Sequence, residues 1–116
     1  MSKPYRIIPD TRHKTHAIVV EWQLASGETG QPFDGIEFPD KTVQMSGTFG
    51  AAVTMEGSND VTGAGVWNTL TDPLGNVISM TSGGIEAILE NPYWVRPNAG
   101  AITGVTVRLS CAQSRR

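Results

Sequence analysis

The sequence predicts an all-β protein, an antiparallel β-sandwich or jelly roll of about eight short strands. Apolar and polar residues alternate along several stretches, the period of two produced when one face of a sheet is buried and the other meets water. Turn formers are dense, with 13 glycines and 7 prolines in 116 residues, which divides the chain into many short elements. Helical spacing is confined to Ile85, Ile88 and Leu89, so at most one short helix is expected, near 83–90.

Residues 1–15 read as an extended N-terminal arm. Pro4 and Pro9 forbid regular helix, while Tyr5, Ile7 and Ile8 offer apolar anchors. Such an arm lies across a neighbour or along the outside of its own sheet. The β-sandwich itself is expected over 16–110, followed by a flexible basic tail at 111–116. His16 to Leu24 is a β-branched strand whose Ile18, Val20, Trp22 and Leu24 share the core face. Residues 26–34 read as a loop, and Gly35 to Phe38 as a short strand ended by Pro39.

The clearest pattern is Thr42 to Asp60, TVQMSGTFGAAVTMEGSND. It predicts a hairpin with Val43, Met45 and Gly47 on one face of the first arm and Val53 and Met55 on one face of the second. Phe49-Gly50 supplies the turn, Gly50 tolerating the positive φ that such corners use. Gly57 to Asp60 ends the second arm. Val66–Leu70 and Val77–Met80 follow as strands around the Asp72-Pro73-Leu74-Gly75 turn. Tyr93–Arg96 is a strand, Pro97–Gly100 a turn, and Ile102–Leu109 a last strand with Val105, Val107 and Leu109 in phase.

A chain of this length suits one core. Hydrophobic residues make up 39% and charged residues 17%, proportions that indicate neither disorder nor a membrane span. The N-terminus lacks an apolar stretch of signal-peptide length, and the lone Cys111 has no internal partner for a disulfide. Charge is unevenly placed. Residues 1–14 set Lys3, Arg6, Arg12 and Lys14 against Asp10; 15–95 set ten acids against Lys41; 96–116 hold Arg96, Arg108, Arg115 and Arg116 with no acid. An acidic body with basic ends argues against nucleic acid as a partner and suits docking onto an acidic protein surface or a neighbouring copy.

No catalytic set emerges. His13 and His16 are three apart in an extended arm, pointing to opposite sides without a third metal ligand. Asn59, Asp60 and Thr62 are better read as turn formers than as a calcium loop. Asp34, Glu37 and Asp40 flank a short strand as a solvated edge rather than a glycosidase pair. Cys111 has no nearby histidine, and neither a nucleophile elbow nor a phosphate loop is present. The expectation is a non-enzymatic protein without metal or cofactor. Of the aromatics that might stack on sugar, Trp22 and Trp67 sit beside apolar neighbours and are expected in the core. Tyr93 and Trp94 are adjacent, so a strand turns one inward and one outward, the outward one being a contact residue.

The succession TVQMSGTFGAAVTMEGSND, VWNTLTDPLGN, IEAILENPYWVRP and GVTVRLS, over Lys41 to Ser110, resembles the small jelly-roll decoration, or cement, proteins that coat the heads of some tailed bacteriophages. That family follows its GSND turn with a glycine and a tryptophan; here Val61 to Gly65 intervene before Trp67, which alters this loop's length and contacts. Residues 1–15 have no counterpart. The resemblance implies a virion structural protein made in the host cytoplasm. It would bind the outer capsid surface at junctions between major capsid proteins, as a homodimer or larger homo-oligomer, without nucleic acid or membrane. Candidate interface residues are Tyr5, Arg6, Ile7, Ile8, Arg12, Lys14, Tyr93, Trp94, Arg115 and Arg116. A carbohydrate-binding sandwich module and a phage fibre or tail domain are the competing readings.

Overall fold

The long strands bury every second residue, and two sheets use those faces to enclose one core. The computed structural model describes residues 2–8, 17–62, 65–100 and 103–113. Twelve strands occur among them: β1 (Ser2–Lys3), β2 (Arg6–Ile7), β3 (Ala17–Leu24), β4 (Thr29–Gly30), β5 (Phe33–Asp34), β6 (Asp40–Phe49), β7 (Val53–Ser58), β8 (Asn68–Thr69), β9 (Ser79–Met80), β10 (Gly84–Ile88), β11 (Trp94–Ala99) and β12 (Thr103–Ala112). Six of them are two-residue pieces, so the count exceeds the expected eight while the long strands are fewer.

One sheet runs β10-β6-β12-β3-β2. The other runs β1-β4-β11-β7-β8, with β5 also on β11 and β9 also on β7. All pairings are antiparallel except β1 with β4. Val20, Trp22, Val43, Met45, Val107 and Leu109 face inward from the first sheet, opposite Val53, Met55, Phe33 and Val95 of the second; Leu70 and Ile78 complete the core. The core face expected for the strand after His16 is therefore present, with Ile18 packed at its margin.

The Thr42–Asp60 pattern chooses the right faces and the wrong partner. Val43, Met45, Val53 and Met55 are all buried, but β6 and β7 are not a hairpin. β6 pairs β12 and β10, while β7 pairs β11, β8 and β9 in the opposite sheet. Residues 50–52 form a corner between sheets. Alternation records which face is buried, not which strand lies alongside. The positive φ expected at Gly50 occurs instead at Gly47, at 127°.

Other elements shift as well. The helical option at 83–90 is not taken: β10 pairs with β6 in register from Gly84↔Met45 to Ile88↔Lys41, tertiary pairing overriding a three-residue pattern. Gly35–Phe38 is a turn closed by Phe38 N–H on the Gly35 carbonyl, and the nearby strand is β5. β7 continues through Gly57 and Ser58, where a turn was expected. β11 likewise runs through Pro97. On one side of β11, Trp94 and Val95 pair with β5 and Asn98 with β4, so Pro97 falls where neither short strand reaches and the missing N–H is tolerated. β12 carries Cys111 and Ala112, two residues past the expected boundary at Ser110.

The N-terminal segment lies on its own sandwich. Ser2 and Lys3 pair with β4, and Arg6 and Ile7 with β3. Between them Tyr5 reaches inward, 5.9 Å from Trp22 and 5.5 Å from Phe33 between ring centroids, edge-on to both.

Candidate binding surface

Both outer faces carry organised polar groups. On the five-stranded sheet, Glu21 stands between Arg6 of β2 and Arg108 of β12, its register partners on either side. Arg6 Nε donates to Oε1 at 2.9 Å and Arg108 Nε to Oε2 at 2.7 Å, and Gln23 adds a third bond. The Glu21 side chain is 2% exposed, the arginines 60% and 52%. Desolvation pushes the Glu21 carboxyl upward, but the Arg108, Arg6 and Gln23 hydrogen bonds outweigh it and hold it below the ordinary carboxylate value. Arg6, expected as an interface residue, is thus partly committed within the protein.

On the seven-stranded sheet, Trp94, Arg96 and Asn98 alternate outward along β11 while Val95, Pro97 and Ala99 point in. Glu56 of β7 accepts from Arg96 Nε and from Asn98 Nδ2, both at 2.9 Å. The Arg96 guanidinium carbon lies 3.9 Å from the Trp67 ring centroid, a cation–π stack. Trp67, expected in the core, is instead half-buried over this outer face, because β8 begins only at Asn68 and leaves it outside the ladder.

Tyr93 and Trp94 do not divide into one inward and one outward ring. Tyr93 precedes β11, so strand alternation does not apply to the pair. Both are half-buried and meet edge-on, with centroids 5.1 Å apart. Beside Trp94 opens a pocket of about 510 Å³ whose wall includes Tyr5, Gln31, Phe33, Asp34 and Thr62. Trp94 and Asp34 are direct register partners between β11 and β5. Of the expected interface residues, Tyr5 and Trp94 meet here. Ile7 and Ile8 are half-buried along β3, and Arg12, Lys14, Arg115 and Arg116 lie outside the described residues, as do His13 and His16.

The loop after β7 behaves as a turn. Asp60 Oδ1 accepts the Thr62 N–H at 3.0 Å and its hydroxyl at 2.7 Å, and Asn59 Oδ1 accepts the Tyr93 N–H. The Thr62 bonds hold the Asp60 carboxyl below its ordinary value. Among the described residues no group of three His, Cys, Asp or Glu side chains is placed to hold a metal ion.

Solved structures share this arrangement. The SPBc2 prophage-derived protein YomS superposes with a TM-score of 0.60 at 16% identity, over 84% of this chain and 95% of its own. A cupin domain from Bordetella pertussis gives 0.51 at 17% identity, over 96% and 97%. A cupin 2 domain-containing protein from Halorhodospira halophila gives 0.52 at 10% identity, over 99% and 67%. The fold is a jelly roll. At these identities the likeness speaks for architecture alone. No protein-family model matches the chain, and no curated protein matches it by sequence.

Proposed function

We infer that the chain is a non-enzymatic structural protein of a phage particle, binding the outer surface of the head at junctions between major capsid proteins and stabilising the shell. The observation that carries this reading is the match of its jelly roll, over 84% of this chain and 95% of the other, to a prophage-derived protein. The distribution of charge supports it, since basic residues cluster at both ends of an acidic body. A cement protein adds buried area across a seam, and weak contacts repeated by symmetry sum to a large stabilisation. A homodimer or higher homo-oligomer on the shell would add to that sum, with neither nucleic acid nor membrane as a partner.

The test is copy number and position in purified particles, by cryo-electron microscopy with quantitative gel densitometry. Hundreds of copies at symmetry-related seams on the outer shell are expected. A few copies at one vertex would assign the protein to the connector or tail, and absence from particles would overturn the reading.

A further inference from the structure

The Trp94 pocket is built from parts the shell-binding reading does not use. Its apolar surface comes from Tyr5, Phe33 and Trp94. These rings are held in place: Tyr5 is wedged edge-on against Trp22 and Phe33, and Trp94 against Tyr93. The backbone beneath is also fixed, since Trp22 Nε1 donates to the Gln31 carbonyl at 3.0 Å and the Gln31 N–H donates to the Lys3 carbonyl at 2.7 Å. A pocket that needs little ordering on binding keeps more of its contact energy.

Its polar groups are of both kinds. The Asp34 carboxylate is exposed and has no ion pair or hydrogen bond to another described side chain, leaving its oxygens as acceptors. The Gln31 carboxamide oxygen accepts the Tyr5 N–H at 3.4 Å, which leaves its NH₂ group as a donor. Trp94 Nε1 is the one buried side-chain nitrogen or oxygen among the described residues without a hydrogen-bond partner. That N–H is covered by protein, so the polar groups open to a ligand are those of Asp34 and Gln31.

Ligand chemistry follows from that mixture. A lysine or arginine side chain would satisfy Asp34 and stack on the rings, but it carries only donors and would leave the Gln31 NH₂ unanswered. An anion would meet Asp34 with no lysine or arginine among the described wall residues to offset the repulsion. A neutral sugar ring has apolar C–H faces for the aromatics and hydroxyls that both donate and accept. The volume, about 510 Å³, lies within the range of small-ligand clefts. We propose that this pocket binds a neutral pyranose. The site stands whether the protein sits on a shell or on a tail, because it depends on neither partner.

The experiment is a titration of the full chain, ¹⁵N-labelled, with the methyl glycosides of glucose, galactose and N-acetylglucosamine, and separately with N-acetyl-arginine methylamide. The three indole N–H signals are followed and assigned by Trp94→Phe and Trp67→Phe. At least one glycoside is expected to shift the Trp94 indole signal saturably, in the millimolar range, leaving the Trp22 signal in place. Asp34→Asn, at an exposed position, is expected to weaken that binding about tenfold through loss of a charge-assisted hydrogen bond without changing the unfolding midpoint. No saturable shift with any of the three glycosides would overturn the proposal. So would saturation by the arginine derivative alone, or glycoside binding, read from backbone amide signals, unaltered in both Trp94→Phe and Asp34→Asn. None of these results bears on copy number in particles, so failure here leaves the shell reading to its own test.

Discussion

Lys41 and Cys111 stand opposite one another on β6 and β12, both with no solvent exposure. A lysine at that depth is unusual. Its ammonium is held by the Asn91 carboxamide oxygen, and Asn91 Nδ2 in turn donates to the Ile36 carbonyl at 3.0 Å. The chain Lys41–Asn91–Ile36 ties two loops at one end of the sandwich to the start of β6. Burial pushes the Lys41 ammonium below its ordinary value of 10.5. The same burial pushes the Cys111 thiol up to about 12, opposed by the Lys41 charge.

A lysine whose folded pKa is depressed weakens the fold in full below that pKa, and the penalty fades as pH rises toward the unfolded value near 10.5. Lys41→Met removes the buried charge, and Asn91, exposed at the surface, can bond to water instead. The variant is expected to be about 1 kcal/mol more stable at pH 7, with a flatter stability profile up to pH 10. Urea unfolding at several pH values checks it. A variant less stable than the parent would mean that the Asn91 bond outweighs desolvation.

Cys111 is expected to be inert while the protein is folded. With its pKa pushed up to about 12, roughly one thiol in ten thousand is ionised at pH 8, and the thiolate is the reactive form. Intact mass after iodoacetamide should show no adduct in buffer and complete alkylation in denaturing urea. Rapid alkylation in buffer would contradict the buried placement.

Glu21 is expected to make the fold acid-sensitive. Its carboxyl is held below the ordinary value of 4.5, so its contribution is complete above that value and is lost as pH falls through the folded pKa. Glu21→Gln should cost about 2 kcal/mol at pH 7, from weakened bonds to two cations. The gap between parent and variant should narrow on acidification from pH 5 to pH 3. A gap that does not depend on pH would assign the loss to packing.

Two glycines separate backbone strain from a steric clash. Gly47 (φ 127°) and Gly75 (φ 88°) both occupy conformations that L side chains avoid. A Cβ at Gly47 would lie 2.3 Å from the Gly104 carbonyl oxygen, whereas one at Gly75 meets nothing within 4 Å. Gly75→Ala is expected to cost about 1 kcal/mol and Gly47→Ala about 3 kcal/mol or more. Thermal melts of the two variants decide it, and equal losses would dismiss the clash.

Removing the N-terminal segment is expected to damage the sandwich itself. Tyr5 makes two edge-on ring contacts with Trp22 and Phe33, so Tyr5→Ala should cost about 2 kcal/mol, read from urea unfolding. A truncation lacking residues 1–8 would lose those contacts together with the β1 and β2 pairings. Impaired shell binding by such a truncation reports folding as much as docking, and docking is better tested by Arg6→Ala with stability measured alongside. An unchanged urea unfolding curve for Tyr5→Ala would return the segment to the role of a free arm.

Local chemistry determined the all-β class, the inward faces of β3, β6, β7 and β12, and the burial of Trp22, because side-chain alternation is written along each strand. Partnership was decided elsewhere. Nothing in Thr42–Asp60 distinguishes a hairpin from a corner between sheets, since both bury the same alternate residues, and only the competition of β12 and β11 for the two arms settles it. The same holds for Ile85–Leu89, whose spacing fits one helical turn until β6 supplies an edge to pair with. Asp34 and Trp94 are sixty residues apart in sequence and become neighbours through the β5–β11 register, as Glu21 and Arg108 do through β3 and β12. Sequence fixes what each strand must bury; long-range pairing, which no local pattern encodes, places the polar side chains beside one another.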